Sequence, residues 1–221
     1  MGHVWDGITQ SGTVSEGSST LRFQLADASK AYDWHTVMGI LREHPGLINS
    51  TRPGGSSLFA PLHHAAHGNA PAAICEELIR LGAWRMLQNA RGERPVDVAE
   101  RCGHVRAVAA LRPALRRRVP AGVLTTIQAC FHDVIRGRAA DLVDRARLRL
   151  PELAPLLEMP PGEEPTWFAV PGMYGGFAYE LYSDGVESVL ISTSWSRVVG
   201  GSGQKHEIMS SGSRLVEQGF V

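Results

Sequence analysis

The sequence predicts an α+β chain: a short α-solenoid of about three helix-turn-helix repeats with an irregular helix pair after it, then a small antiparallel β module. Three observations predict it. The blocks PLHHAAHGNAPAAICEELIRLGA (61–83) and PVDVAERCGHVRAVAAL (95–111) echo each other, with Pro61 matching Pro95, His63 matching Asp97 and Ala65 matching Ala99, always 34 residues apart. A fixed offset of about 33 residues marks a stacked-repeat architecture. Beyond EMPPGEEP (158–165), a linker by composition, the apolar period changes from helical to two.

Residues 1–20 are polar and Gly/Ser-rich and read as a flexible leader. From Leu21 the pattern is helical. Leu25, Ala28 and Tyr32 share one face, and Val37, Ile40 and Leu41 share another, with Asp33 as the N-cap of the second helix and Pro45-Gly46 as its stop. STRPGGSS (50–57) is a turn-rich loop before the 61–83 block, and MLQNARGER leads into the 95–111 block. After Pro120, Leu124, Ile127, Phe131, Val134 and Ile135 form a helical stripe that Gly137 is expected to break. Leu142, Val143, Ala146 and Leu150 form a shorter one. The pair, within residues 119–157, suits an atypical cap on the stack. In 166–221, Trp167, Phe168 and Val170 read as a strand. Phe177, Tyr179 and Leu181 alternate, as do Val189, Ile191, Thr193 and Trp195, with turns at Ser183-Asp184-Gly185 and at GGSGQ (200–204).

The repeated blocks resemble ankyrin repeats, whose pattern runs T-P-L-H-x-A-A, then G-H, then V-x-x-L-L-x-x-G-A. Pro61, Leu62, His63, Ala65 and Ala66 match the first part, and Leu78, Ile79, Gly82 and Ala83 the last. The next unit matches at Pro95, Asp97, Ala99, Gly103, His104, Val108 and Leu111, and the loop residues Asn89 and Gly92 also fit. The residue types make physical sense. Proline starts a helix where its missing N–H costs nothing, the alanine pair lets helices approach closely, and Gly103 lets the chain turn between helices. Phe59-Ala60 departs from the usual Gly-Thr, and one extra residue precedes Leu78, so the Gly68-Asn69 turn is expected to be irregular. The resemblance covers about residues 21–118. The block from PGMYGGF onward resembles a C-terminal module of bacterial ankyrin proteins without assigned activity, and that likeness supplies no function.

Charge is balanced, 22 basic against 22 acidic residues, which gives no global pull toward nucleic acid or anionic membrane. Residues 101–149 nevertheless hold 11 Arg against 3 acids, and residues 150–221 hold 9 acids against 3 basic residues. The cluster Arg112, Arg116, Arg117 and Arg118 suits either an acidic or phosphorylated ligand or a solvated helix end. Three widely spaced cysteines form neither a disulfide framework nor a zinc pattern. No cationic-apolar start or membrane-length apolar run occurs, so a cytoplasmic location and no membrane partner are expected.

His63 and His67 have the i,i+4 spacing of a metal pair, but no carboxylate follows in H-E-x-x-H order, and His63 belongs to the repeat pattern. GGSGQ lacks the helix a phosphate cradle needs. No catalytic residue, metal or cofactor is expected. The ankyrin resemblance implies a non-enzymatic protein–protein interaction through loops and the concave face, with Arg52, Ser56, Phe59, Gln88, Arg91 and Glu93 as contacts and another protein as partner. Nucleic acid is not expected, for want of a groove-entering motif. Two alternatives stay open: a ligand or enzymatic site in the β module at Tyr174, Trp195, Arg197 and His206, and an immunity or antitoxin-type inhibitor.

Overall fold

The computed structural model describes residues 3–160, 162–197 and 201–220. They are α+β, helices first and most strands C-terminal, in two compact units. One is Ile8–Ala114; the other joins the described part of Met1–Gly7 to that of Leu115–Val221.

The first unit holds α1 (Glu16–Lys30), α2 (Trp34–Glu43), α3 (Pro61–His67), α4 (Ala72–Arg80), α5 (Pro95–Arg101) and α6 (Val105–Leu111). They form hairpins α1–α2, α3–α4 and α5–α6. α3 lies between α1 and α5, and α4 lies against α6. All three hairpins close alike. The N–H groups of Asp33, Ala70 and His104 donate to the carbonyls of Ala28, Ala65 and Ala99 at 2.9, 3.0 and 2.9 Å. The residue before each donor is left-handed: Tyr32 (φ 60°), Asn69 (φ 51°) and Gly103 (φ 72°). Asn69 thus does what Gly103 does one unit later, and the turn expected to be irregular keeps the same bond. Ala65, Ala66, Ala99 and Ala107 are fully buried, so neighbouring helices approach closely around Leu41, Leu62, Leu78, Val98 and Leu111.

The starts of α3 and α5 are also equivalent. Asp97 accepts from the Arg94 N–H at 2.8 Å, and His63 Nδ1 accepts from the Ala60 N–H at 3.3 Å. Because Nδ1 accepts, the proton sits on Nε2, which donates to the Glu93 carbonyl at 3.2 Å. His63 is fully buried and ties one helix start to the next loop. His104 Nδ1, 2.9 Å from the Ala66 carbonyl, links the next hairpin to α3.

In the second unit, β1 (Val4–Trp5), β2 (Thr166–Val170), β3 (Gly175–Tyr182), β4 (Val189–Ser196), β5 (Ser202–Met209) and β6 (Gly212–Phe220) form one sheet in that order among the described residues. Phe168, Phe177, Tyr179, Leu181, Leu190 and Ile208 line its buried inner face. The helix α7 (Ala121–Ala146) packs on that face, with Phe131 at 5.0 Å from Tyr179 and 6.3 Å from Phe177 between ring centroids.

Four expectations are corrected. Residues 1–20 are not a flexible leader. Val4 and Trp5 pair in parallel with Trp167 and Phe168, Trp5 donates to the Arg149 carbonyl at 2.9 Å, and α1 begins at Glu16, capped by Ser15. The sheet is consequently mixed rather than purely antiparallel. The helix pair expected within residues 119–157 breaks two residues later than expected. Gly137 stays helical, two helices meet at a kink at Ala139 (φ −146°), and the apolar stripe Leu124–Ile135 is buried on the sheet of the same unit. Finally, Ser202–Gln204 of the expected flexible turn open β5, while Gly200 lies outside the described residues.

Arg117 fastens the segment that reads as a linker. It is 6% exposed and donates to the carbonyls of Met159 (3.2 Å), Pro160 (2.9 Å) and Leu181. One member of the expected basic cluster is therefore structural, while Arg112, Arg116 and Arg118 are exposed.

Two outcomes follow in urea unfolding. His63→Ala leaves the Ala60 N–H and Glu93 carbonyl without this partner and destabilises the chain by about 3 kcal/mol. Phe131→Ala costs about 3–5 kcal/mol and is read in the transition that changes tryptophan fluorescence from the second unit.

Candidate functional site

Two adjoining clefts of the helical unit share Ser57, Phe59 and His67. The first, ≈ 350 Å³, is bounded by Ser56, Asn89, Arg91, Glu93 and Arg101. The second, ≈ 580 Å³, is bounded by Asp27, Lys30, Tyr32, Arg52 and His64. Together they make a groove that runs from the end of α1, across loop 50–60 and α3, to loop 88–94.

Each wall is held by local chemistry. In loop 88–94, the 5% exposed Asn89 accepts with its Oδ1 from the N–H groups of Arg91 (2.7 Å) and Glu93 (3.0 Å), and Gly92 takes φ 73°. The Ala90 N–H donates to the Ser57 carbonyl at 2.9 Å, joining the two loops. Arg101 donates to Glu93 at 2.6 Å, which, with Asn89, holds the Glu93 carboxyl below its ordinary range. Arg52 pairs with Asp27 and lies 5.0 Å over the Phe23 ring.

The floor is aromatic. Phe59 lies 5.4 Å from His63, 5.3 Å from His64 and 6.1 Å from His67, centroid to centroid. The Tyr32 hydroxyl and His67 Nδ1 are 2.8 Å apart. A left-handed tyrosine is strained by about 1–2 kcal/mol, where glycine would sit freely. Its ring also covers Gly68 so closely that a Cβ there would overlap it. The chain thus holds an exposed aromatic ring at the groove by two unfavourable or restrictive choices. Burial first, then the charges of His67 and Lys30, push His64 down to about 4, so it is neutral near pH 7.

The groove brings together Ser56, Phe59, Arg91 and Glu93 on one side and Arg52 with Phe59 on the other; Gln88 lines neither cleft. Tyr32, Lys30, His64 and His67 escaped the sequence-based selection. The i,i+4 histidine spacing did flag His67, for a different chemistry. His63 points into the core and His67 to the groove, and no metal-competent cluster of three His, Cys, Asp or Glu exists among the described residues.

The expected β-module site does not assemble. Side chains alternate between sheet faces. His206 pairs with Ser192, on the inner face, whereas Trp195 pairs with Gly176 and Gly203, on the outer face. There Trp195 stacks on Trp167 at 4.5 Å. Tyr174 (76% exposed, φ 50°) and Arg197, whose N–H donates to the Tyr174 carbonyl at 3.4 Å, belong to the turn region and not to a cleft with His206.

No protein-family model matches the sequence, and no curated protein does. Among solved structures, the predatory endopeptidase Bd0816 of Bdellovibrio bacteriovorus in complex with immunity protein Bd3460 is similar at 26% identity over 39% of this chain and 42% of that one, with a TM-score of 0.34. The chain spans less than half of the matched chain, and a likeness of this extent bears on neither fold nor activity. No helix among the described residues is long and apolar enough to cross a membrane.

His64 gives a pH signature. Its folded value of about 4 lies below the ordinary 6.5, so the unfolded chain takes up the proton first on acidification. Stability from this group is full above the unfolded value and falls as pH drops toward the folded one. His132 and His206 shift the same way, chiefly through burial. His64→Gln therefore reduces, without abolishing, the loss of urea midpoint between about pH 7 and 5; an unchanged loss contradicts the assignment.

Proposed function

We propose that the helical unit is an ankyrin-type stack that binds a segment of another protein in the groove across Phe59, without catalysing a reaction. The observation that carries this is the convergence of loops 50–60 and 88–94 on one aromatic floor. Both loops hang from hairpins that close by the same bond, and an exposed Tyr32 is held beside them at a cost in backbone strain. Pre-set side chains lose little freedom on binding, and aromatic and Arg side chains dominate interface energetics. The repeat pattern supports the ankyrin assignment: the Pro61 and Pro95 helix starts, the buried His63 and the left-handed Gly103 occupy equivalent places.

The charges favour a partner segment that carries carboxylates. Arg52 is paired with Asp27 and Arg101 with Glu93, while Lys30 and Arg91 have no acidic partner in hydrogen-bond or ion-pair range among the described residues. A cytoplasmic location is part of the proposal, and the free thiols Cys75, Cys102 and Cys130 are compatible with a reducing compartment.

The test is affinity capture from the native lysate with the full chain, followed by titration of the captured protein. Arg91→Glu, at an exposed position, and Phe59→Ala are each expected to raise Kd at least tenfold, about 1.4 kcal/mol, with Arg91→Glu leaving the unfolding midpoint unchanged. A partner that binds both variants like the wild type overturns the proposal.

A further inference from the structure

The inner face of the sheet carries an anomaly in the second unit. Between Leu190, Phe177, Tyr179 and Ile208, all buried and apolar or aromatic, stand Ser192 and Ser194, each 1% exposed. Their hydroxyls have no hydrogen-bond partner in the protein, nor do the buried Arg138 Nε and His206 Nδ1. A buried polar atom left unpaired is costly, and native folds keep few of them. Here four fall in one place. Ser192 lies opposite His206 and Ser194 opposite Gln204 in the β4–β5 register, so these four side chains share one face.

That face is open to solvent at one side. A cleft of ≈ 490 Å³ between α7 and strands β5 and β6 is lined by Gly137, Arg138, Gln204, His206 and Ser213, with Asp133 on the helix side. Gly137 presents no side chain, and a Cβ there would meet nothing within 4 Å. Arg138 is held across the cleft by bonds from Nη2 to the Ser202 carbonyl (2.6 Å) and from Nη1 and Nη2 to the Ser202 hydroxyl (3.4 and 3.5 Å), while its buried Nε–H has no partner. The volume lies in the range of small-molecule sites. The groups are donors or can act as donors: a guanidinium, two hydroxyls, a carboxamide and an imidazole. Asp133, exposed, is the one carboxylate of the lining, against the half-buried guanidinium.

We propose that the cleft between α7 and strands β5 and β6 binds a small molecule through an oxyanion group, a phosphate or a carboxylate, gripped by Arg138 and His206 with the Ser192 and Ser194 hydroxyls behind them. Arginine with convergent neutral donors is the chemistry that recognises such groups. The site is independent of the groove on the helical unit, and either can fail alone.

The test is NMR titration of the full chain with inorganic phosphate and, separately, with malonate, at constant ionic strength maintained with chloride. Saturable shifts confined to the resonances of Arg138, Ser192, Ser194, Gln204 and His206 are expected with at least one anion, and which one saturates assigns phosphate or carboxylate. Arg138→Gln is expected to raise Kd at least tenfold. Ser192→Ala removes a hydroxyl that bonds to no protein group, so it folds like the wild type, and it is expected to raise Kd at least threefold. Absence of saturable shifts with both anions overturns the proposal, as does wild-type affinity in both variants.

Discussion

A single buried imidazole sets the spacing of the helical unit. His63 accepts from the backbone at the start of its own helix and donates to the carbonyl of Glu93 near the end of loop 88–94, which leads into α5. Neither bond is strong alone, but both end on a fully buried imidazole, and the Ala60 N–H is buried with it, so losing them leaves polar atoms unpaired away from water. The imidazole thereby couples the capping of one hairpin to the placement of the loop that follows. Asn89 then fixes that loop internally, and the Ala90 to Ser57 bond brings the previous loop beside it. The groove exists because this chain of bonds holds two otherwise exposed loops in register.

The second unit is ordered by a different constraint. A strand of two residues gains little from its own pairing, yet Val4–Trp5 is placed because Trp5 is buried, with its indole N–H on the Arg149 carbonyl. Gly7 lies against Phe168 and the Arg149 carbonyl so closely that a Cβ would strike both. Arg117 does for residues 159–160 what backbone pairing does elsewhere, gathering carbonyls that have no strand partner. Aromatic contacts under α7 complete the core, and the serines of β4 interrupt it where the cleft opens.

Much of this was legible in the sequence because its signals are local. Proline and alanine recur 34 residues apart in 61–83 and 95–111, at Pro61 and Pro95 and at Ala65 and Ala99, and the hairpins with their left-handed turns form there. The alternation of Trp167, Phe168 and Val170, and of Val189 to Trp195, marks strands that the sheet contains. What was not legible depends on distance along the chain. Val4–Trp5 finds its partner about 160 residues away, beyond any periodicity. The stripe Leu124–Ile135 tells that a helix buries one face, not which surface covers it. Arg117 is indistinguishable in sequence from its exposed neighbours Arg116 and Arg118. In the groove, the loop residues Arg52, Ser56, Phe59, Arg91 and Glu93 stood out, whereas Tyr32 and His67 belong to helix ends whose meeting depends on how the hairpins stack. In the β module, Trp195 and His206 are separated by the parity of the register, which only the pairing reveals.

The central claim, that the joined loops grip a partner, is tested most directly by hydrogen–deuterium exchange on the full chain with and without its captured partner. The account predicts slowed exchange concentrated in residues 52–59, 88–94 and the end of α1 near Tyr32. Protection confined to strands β4 to β6, with those loops exchanging as in the free protein, would contradict it.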